Sequence, residues 1–115
     1  MTPKVLLAVP TKGNKGSRDS VSKIFAKAPY FTFVEIIDNK KEKVTVQENE
    51  ASNLTQGTGP IVMKGLKDKG VDVILAGDVG PGAITLMQIS GIKLYKVDPG
   101  KKVSEAVNQY IESLA

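Results

Sequence analysis

Near the start of the chain, five apolar residues run without a break, Val5-Leu6-Leu7-Ala8-Val9, and stop at Pro10. A strand sends its side chains alternately to two sides. When both sides are apolar, the strand belongs in the middle of a sheet that is covered on both faces. Such a run suits the centre of a sheet with helices above and below. Val71 to Ala76, VDVILA, is a second segment of this kind.

Between and after these two segments the pattern alternates. Thr11 to Ser17, TKGNKGS, reads as a loop. Val21, Ile24, Phe25 and Ala28 stand at helical spacing, with Ser20 as a cap and Pro29 as a stop. Residues 30–37, YFTFVEII, are aromatic and β-branched, as a strand requires. Asp38 to Lys41 reads as a turn, and residues 43–47, KVTVQ, as a half-exposed hairpin partner guarded by lysines. After a polar loop over residues 48–60, a helix is expected from Thr58 or Gly59 to about Lys69, with Ile61, Val62 and Leu66 as its apolar stripe and Gly70 as its stop. A glycine-rich turn, Gly77 to Gly82, leads into a helix over about 81–90, and Ile92 to Val97 is a last strand. The closing helix places Val103, Ala106, Val107, Tyr110, Ile111 and Leu114 on one face.

The order β-α-β-β-α-β-α-β-α fits one α/β domain over residues 1–115, with a mixed sheet of five strands and helices on both faces. Right-handed crossovers put the strand at 71–76 beside the strand at 5–9, and the hairpin on the other flank. The six apolar residues from Val5 to Pro10 are too few to span a membrane, so a cytoplasmic protein is the expectation.

Composition narrows the chemistry. There is no Cys and no His. Disulfides, thiolate sites, histidine general bases, Cys–His pairs and histidine-ligated metals are therefore excluded. Tryptophan is absent and aromatic residues make up 5% of the chain, too few for a platform that stacks nucleic-acid bases. A net charge of +4 admits an anionic partner but lacks the dense basic stripe of a nucleic-acid binder. No phosphate loop is present, and Gly77-x-x-Gly80-x-Gly82 has the wrong spacing for a dinucleotide fingerprint. No credible pair of carboxylates offers acid–base catalysis, so an enzyme is not expected.

In an open sheet of this kind, ligands gather at the carboxyl ends of the parallel strands. Three polar or glycine-rich loops, 10–18, 49–59 and 77–82, are expected at that edge. They offer Lys12, Asn14, Lys15, Arg18, Asn49, Asn53, Gln56 and Asp78, and the backbone N–H groups of Gly57, Thr58, Gly59, Gly80 and Gly82. Glycine-rich turns and helix starts bind anions through unpaired N–H groups, and basic side chains add charge-assisted bonds. Each feature also has a plain reading. Gly80 and Gly82 permit a tight turn, the basic residues form a solvated surface, and Asp78 satisfies local amides. Met63 and Met87 are read as core filler and not as metal ligands.

Several ordered blocks carry a resemblance. Leu7 to Thr11, Asp19 to Phe31, Glu48-Asn49, Gln56 to Gly59, Gly70 to Gly77, Gly80 and Gly91 to Tyr95 together resemble the dinitrogenase iron–molybdenum cofactor biosynthesis family over nearly the whole chain. The resemblance implies a three-layer α/β/α, ribonuclease H-like fold with strand order 3-2-1-4-5 and strand 2 antiparallel to the rest. It also implies a non-enzymatic carrier, a nitrogenase accessory factor-like protein, for an iron–sulfur or iron–molybdenum type cluster. Its expected partners are that anionic cluster and a cluster-assembly protein, and its expected state is monomer or homodimer.

Two family histidines are replaced here, by Ile24 in Ile24-Phe25-Ala26-Lys27-Ala28 and by Gln56 before Gly57. A cluster would then be held through charge, amides and oxygen donors, with Lys12, Lys15 and Arg18 supplying the charge. Two other readings stand beside it: a nucleotide or small-molecule module with a divalent ion near Asp78, and a protein-interaction domain without a ligand.

Overall fold

Along β1, Lys4–Thr11, alternate side chains divide the interior into two cores. Leu7 and Val9 enter one, and Ala8 with Leu6 beside it enters the other. The computed structural model describes residues 4–54 and 57–114. It contains β2 (Tyr30–Ile37), β3 (Lys40–Glu48), α1 (Thr58–Lys69), β4 (Val73–Ala76), α2 (Pro81–Ser90), β5 (Lys93–Lys96) and α3 (Val103–Ser113).

The five strands form one sheet in the order β3-β2-β1-β4-β5. β2 is antiparallel to β1, from Lys4↔Ile37 to Thr11↔Tyr30, and antiparallel to β3. β4 is parallel to both β1 and β5. A two-residue turn at Asp38-Asn39 joins β2 to β3, with φ of 53° and 62°. Both residues sit in the left-handed region that a tight hairpin of matching twist needs, and Asp and Asn tolerate it better than most.

β4 repeats the division made by β1, with Val73 and Leu75 on one face and Ile74 and Ala76 on the other. On the first face they meet Val103, Ala106, Val107 and Tyr110 of α3. On the second they meet Val62, Met63 and Leu66 of α1 and Met87 of α2. The layers are therefore α3, sheet, and α1 with α2. Gly70 and Gly91 stop α1 and α2 at φ of 87° and 74°. Each ending folds back, Val71 N–H to Leu66 O at 3.1 Å and Ile92 N–H to Met87 O at 2.9 Å, a closure that needs a residue without a Cβ at the turn.

The structure corrects two expectations. No helix forms over residues 20–28. Val21 is fully buried in the α3-side core, whereas Phe25 is buried in the core on the other side. No single helix face could serve both. The backbone instead bonds to its neighbours: Val21 N–H to Lys101 O, Ser22 N–H to Pro10 O, and Gly100 N–H to Val21 O, all at 2.8 Å. Among the described residues, short 3₁₀ turns at Gly16–Arg18 and Glu50–Asn53 interrupt the two long connections. Within α1, Met63 is buried and Ile61 is 52% exposed, so methionine takes the place expected for isoleucine in the stripe.

Candidate functional site

β1, β3, β4 and β5 all run the same way, so the segments that leave them emerge at one edge of the sheet. The first of these is held by a residue outside the expected set. Asp19 is 8% exposed, and its carboxylate accepts the N–H groups of Gly13 at 3.1 Å, Lys15 at 3.0 Å and Ser20 at 2.8 Å. The amides of this loop are therefore turned inward onto the chain's own anion. Lys12, Asn14, Lys15 and Arg18 remain exposed at its surface. The turn at Gly16 rests against Val44 and Val46, whose pairing with Val34 and Thr32 puts them on the α3 side of the sheet. The same turn packs against α3. Ser20 bridges to Lys102, and Val103 N–H donates to Asp19 O at 2.9 Å. Lys101 and Lys102 thus join the basic loop from the far end of the sequence.

The starts of α1 and α2 lie on the other face. These two helices pack against each other; α2 begins shortly after β4, and α1 after the longer connection that leaves β3. Their first internal bonds are Ile61 N–H to Gly57 O at 3.3 Å and Ile84 N–H to Gly80 O at 3.1 Å. The N–H groups before these, on Thr58, Gly59, Gly82 and Ala83, have no acceptor within their own helices. No side chain caps either helix. Pro60 and Pro81 have no N–H and add none to the set. A Cβ built on Gly59, Gly80 or Gly82 meets nothing within 4 Å, and none of the three has a left-handed φ. Neither the backbone nor the packing requires glycine at these positions. At the first position of α1 the Thr58 hydroxyl is buried and, among the described residues, has no hydrogen-bond partner. Helix starts with bare amides are electropositive and rich in donors, the chemistry that suits an anion.

Other expected residues are not part of these helix starts. Asp78 is fully exposed and sits 3.6 Å from the Lys96 ammonium, beside a hollow of about 270 Å³ that Asp98 and Lys101 also line. Lys96 already supplies the positive charge that a divalent ion would bring there. Gly77 has a packing reason, since a Cβ on it would come 2.8 Å from Pro99. Asn53 is exposed in the turn before α1, and Gln56 lies outside the described residues. Asn49 is 8% exposed, and its amide nitrogen donates to Ala26 O and Ala28 O, both at 2.8 Å. Its work is to fasten the 26–29 loop to the end of β3. The structure therefore divides the expected set, with the basic loop toward α3 and the helix starts toward the other face. None of three hollows, of about 350, 270 and 590 Å³, is lined from all three loops.

Sequence reasoning missed Asp19, the Thr58 hydroxyl and the Lys101-Lys102 pair. The signal for Asp19 was a lone acid ending a loop of glycine and lysine. For the others the signal is non-local, since burial and strand bridging decide it. Among the described residues no group of three or more acidic side chains converges on a metal position, and no helix is long and apolar enough to cross a membrane.

Comparison with known proteins gives one consistent picture. The family model for dinitrogenase iron-molybdenum cofactor matches residues 3–113. The NMR structure of a Thermotoga protein, a candidate NifB protein assigned to the DUF35 family, is 34% identical, with a TM-score of 0.75 over 94% of this chain and 88% of that one. The apo form of the orange protein from Desulfovibrio gigas is 26% identical, with a TM-score of 0.82 over 98% of this chain and 92% of that one. An uncharacterised protein of Methanocaldococcus jannaschii is 26% identical over 92% of this chain and 85% of its own length.

Proposed function

The chain belongs to the dinitrogenase iron-molybdenum cofactor family, and from that premise we propose that it is a non-enzymatic binding or carrier protein. Its cargo is an anionic cluster of iron–sulfur or iron–molybdenum type, or another small anion, held at the paired starts of α1 and α2. Family membership and the likeness to the orange protein support a cofactor-related binding or accessory role.

The supporting observation is the bareness of that edge. Gly59, Gly80 and Gly82 stand where neither fold nor packing asks for glycine, and they leave the amides of two neighbouring helices open to close approach. The buried Thr58 hydroxyl adds a donor that has no partner among the described residues.

Iron prefers soft or borderline ligands. With no Cys or His in the chain, and no convergent acidic group among the described residues, this protein does not fit a cluster that needs ligands from its carrier. It fits one that arrives fully ligated from a cluster-assembly protein and carries net negative charge. The amides of Gly57, Thr58, Gly59, Gly80 and Gly82 would then fix the cluster. Lys12, Lys15 and Arg18 would raise the local potential and speed its approach. Asn14, Asn53 and Gln56 flank that approach in sequence, and Asp78, paired with Lys96, borders it.

The test is anaerobic purification with iron and molybdenum determination, followed by titration with molybdate and with a thiolate-ligated iron–sulfur cluster. Stoichiometric binding that falls at least about tenfold in a Gly59→Ala, Gly82→Ala variant is expected, the loss of a pair of charge-assisted bonds. Binding that the double variant leaves unchanged would overturn this placement.

A further inference from the structure

A second opening, sharing none of these residues, lies between α1 and the edge hairpin. It is a cleft of about 350 Å³, within the range of small-molecule sites. Its floor is aromatic: Phe31 and Phe33 are each 4% exposed, with rings 6.5 Å apart and tilted by 32°. Val62 and Leu66 of α1 form its wall.

The two ends of the cleft carry opposite charge. At one end, the Lys69 ammonium lies 4.6 Å above the Phe33 ring and donates to Gln47 Oε1 at 3.4 Å. An ammonium has three donors, so one remains after the ring face and Gln47 are served. At the other end, in the turn that follows β3, stands Glu50.

The wall has a gap. Gly65 lies in the middle of α1 and lines the cleft, yet a Cβ on it would meet nothing within 4 Å. Glycine inside a helix costs about 0.5–1 kcal/mol relative to alanine. No neighbour requires that cost and no turn uses it. Its effect is to keep the cleft wide above the aromatic floor.

We infer that this cleft binds a small, flat organic acid: an aromatic or heteroaromatic body packed beside Phe31 against Val62 and Leu66 of α1, with one carboxylate on the Lys69 ammonium that covers Phe33. Glu50 sets the polarity. It repels a second anionic group at the far end, so a monoanion with a neutral tail binds better than a dianion. It also directs the carboxylate toward Lys69. Charge here selects and orients, while the apolar lining from α1 and the hairpin supplies the contact area.

Indole-3-acetate is a suitable probe, with indole-3-acetamide as its neutral counterpart and tryptamine as its cationic one. In an NMR titration of the full chain, indole-3-acetate at millimolar concentration should saturably shift the amides of Phe33, Gln47, Gly65 and Leu66. The acetamide should bind about tenfold more weakly, the scale of one charge-assisted bond, and tryptamine more weakly than the acid. Gly65→Leu fills the gap and should abolish the shifts while the thermal midpoint holds or rises. Lys69→Met should make acid and amide equal. Absent or non-saturable shifts, tryptamine binding as well as the acid, or full binding by either variant would overturn the proposal. Because the cleft and the helix starts share no residue, Gly59→Ala should leave indole-3-acetate binding intact.

Discussion

Gly13 and Asp19 are fitted so closely that a Cβ on the glycine would stand 2.7 Å from the Asp19 Oδ2, and the Gly13 N–H already donates to the other carboxylate oxygen at 3.1 Å. The loop that carries Lys12, Lys15 and Arg18 keeps its shape through this contact. Asp19→Ala leaves inward-facing amides on Gly13, Lys15 and Ser20 without an acceptor and should cost roughly 2–3 kcal/mol. Gly13→Ala forces the carboxylate aside and should cost about 1–3 kcal/mol. Urea midpoints report both.

The glycines at the helix starts should behave in the opposite way. Gly59→Ala and Gly82→Ala place a methyl in open space on helical backbone, and each should raise stability by a few tenths to about 1 kcal/mol. Thr58→Val removes a buried hydroxyl that has no partner among the described residues, and it should be neutral or slightly stabilising. Thermal midpoints that hold or rise, together with weaker anion binding by titration calorimetry, are expected from all three.

Asn49 works purely as a fastener. Asn49→Ala removes both donors to Ala26 O and Ala28 O, leaves two carbonyls short of a partner, and should cost about 2–4 kcal/mol. Hydrogen exchange should quicken at Ala28 N–H, which bonds to Phe25 O within that loop, and change little along β4.

Tyr110 gives the protein an alkaline limit. Burial, and next the Asp72 carboxylate, push its phenol above the ordinary 10.0. Below the ordinary value, folded and unfolded chains both keep this proton and the stabilising contribution is intact. As pH rises further the unfolded chain loses the proton first, so stability falls until the folded phenol ionises as well. Tyr110→Phe should flatten that part of the decline in urea midpoints measured at rising alkaline pH. An unaltered decline would assign it to other groups.

Much of this architecture could be read from the amino-acid order, and where the reading failed the reason is physical. YFTFVEII gave β2 with its observed bounds because β-branched and aromatic residues suit a pleated surface. Gly70 and Gly91 marked two helix ends because few other residues can make that turn. The 20–28 segment misled because Val21 and Phe25 are spaced like neighbours on a helix face. Spacing carries no information about which of two cores each side chain will enter. The same limit applies at the site. Glycines before helices are visible in sequence, so Gly57, Gly59, Gly80 and Gly82 stood out. The separation of the basic loop from the helix starts depends on Gly16 resting against Val44 and Val46, a contact set by the fold and not by local order.

The passage of the chain from Val21 on one side of the sheet to Phe25 on the other has a mechanical consequence. Four positions apart, these two side chains are rooted in opposite layers, so the segment between them works as a strap across the top of the sheet. Loosening α3 should therefore also loosen the seat of Phe25 beside Phe31. Proteolytic nicking beside the exposed Lys23 and Ile24 would sever that strap and uncouple the two halves. The intact chain should come apart in a single step, and the cut one in two.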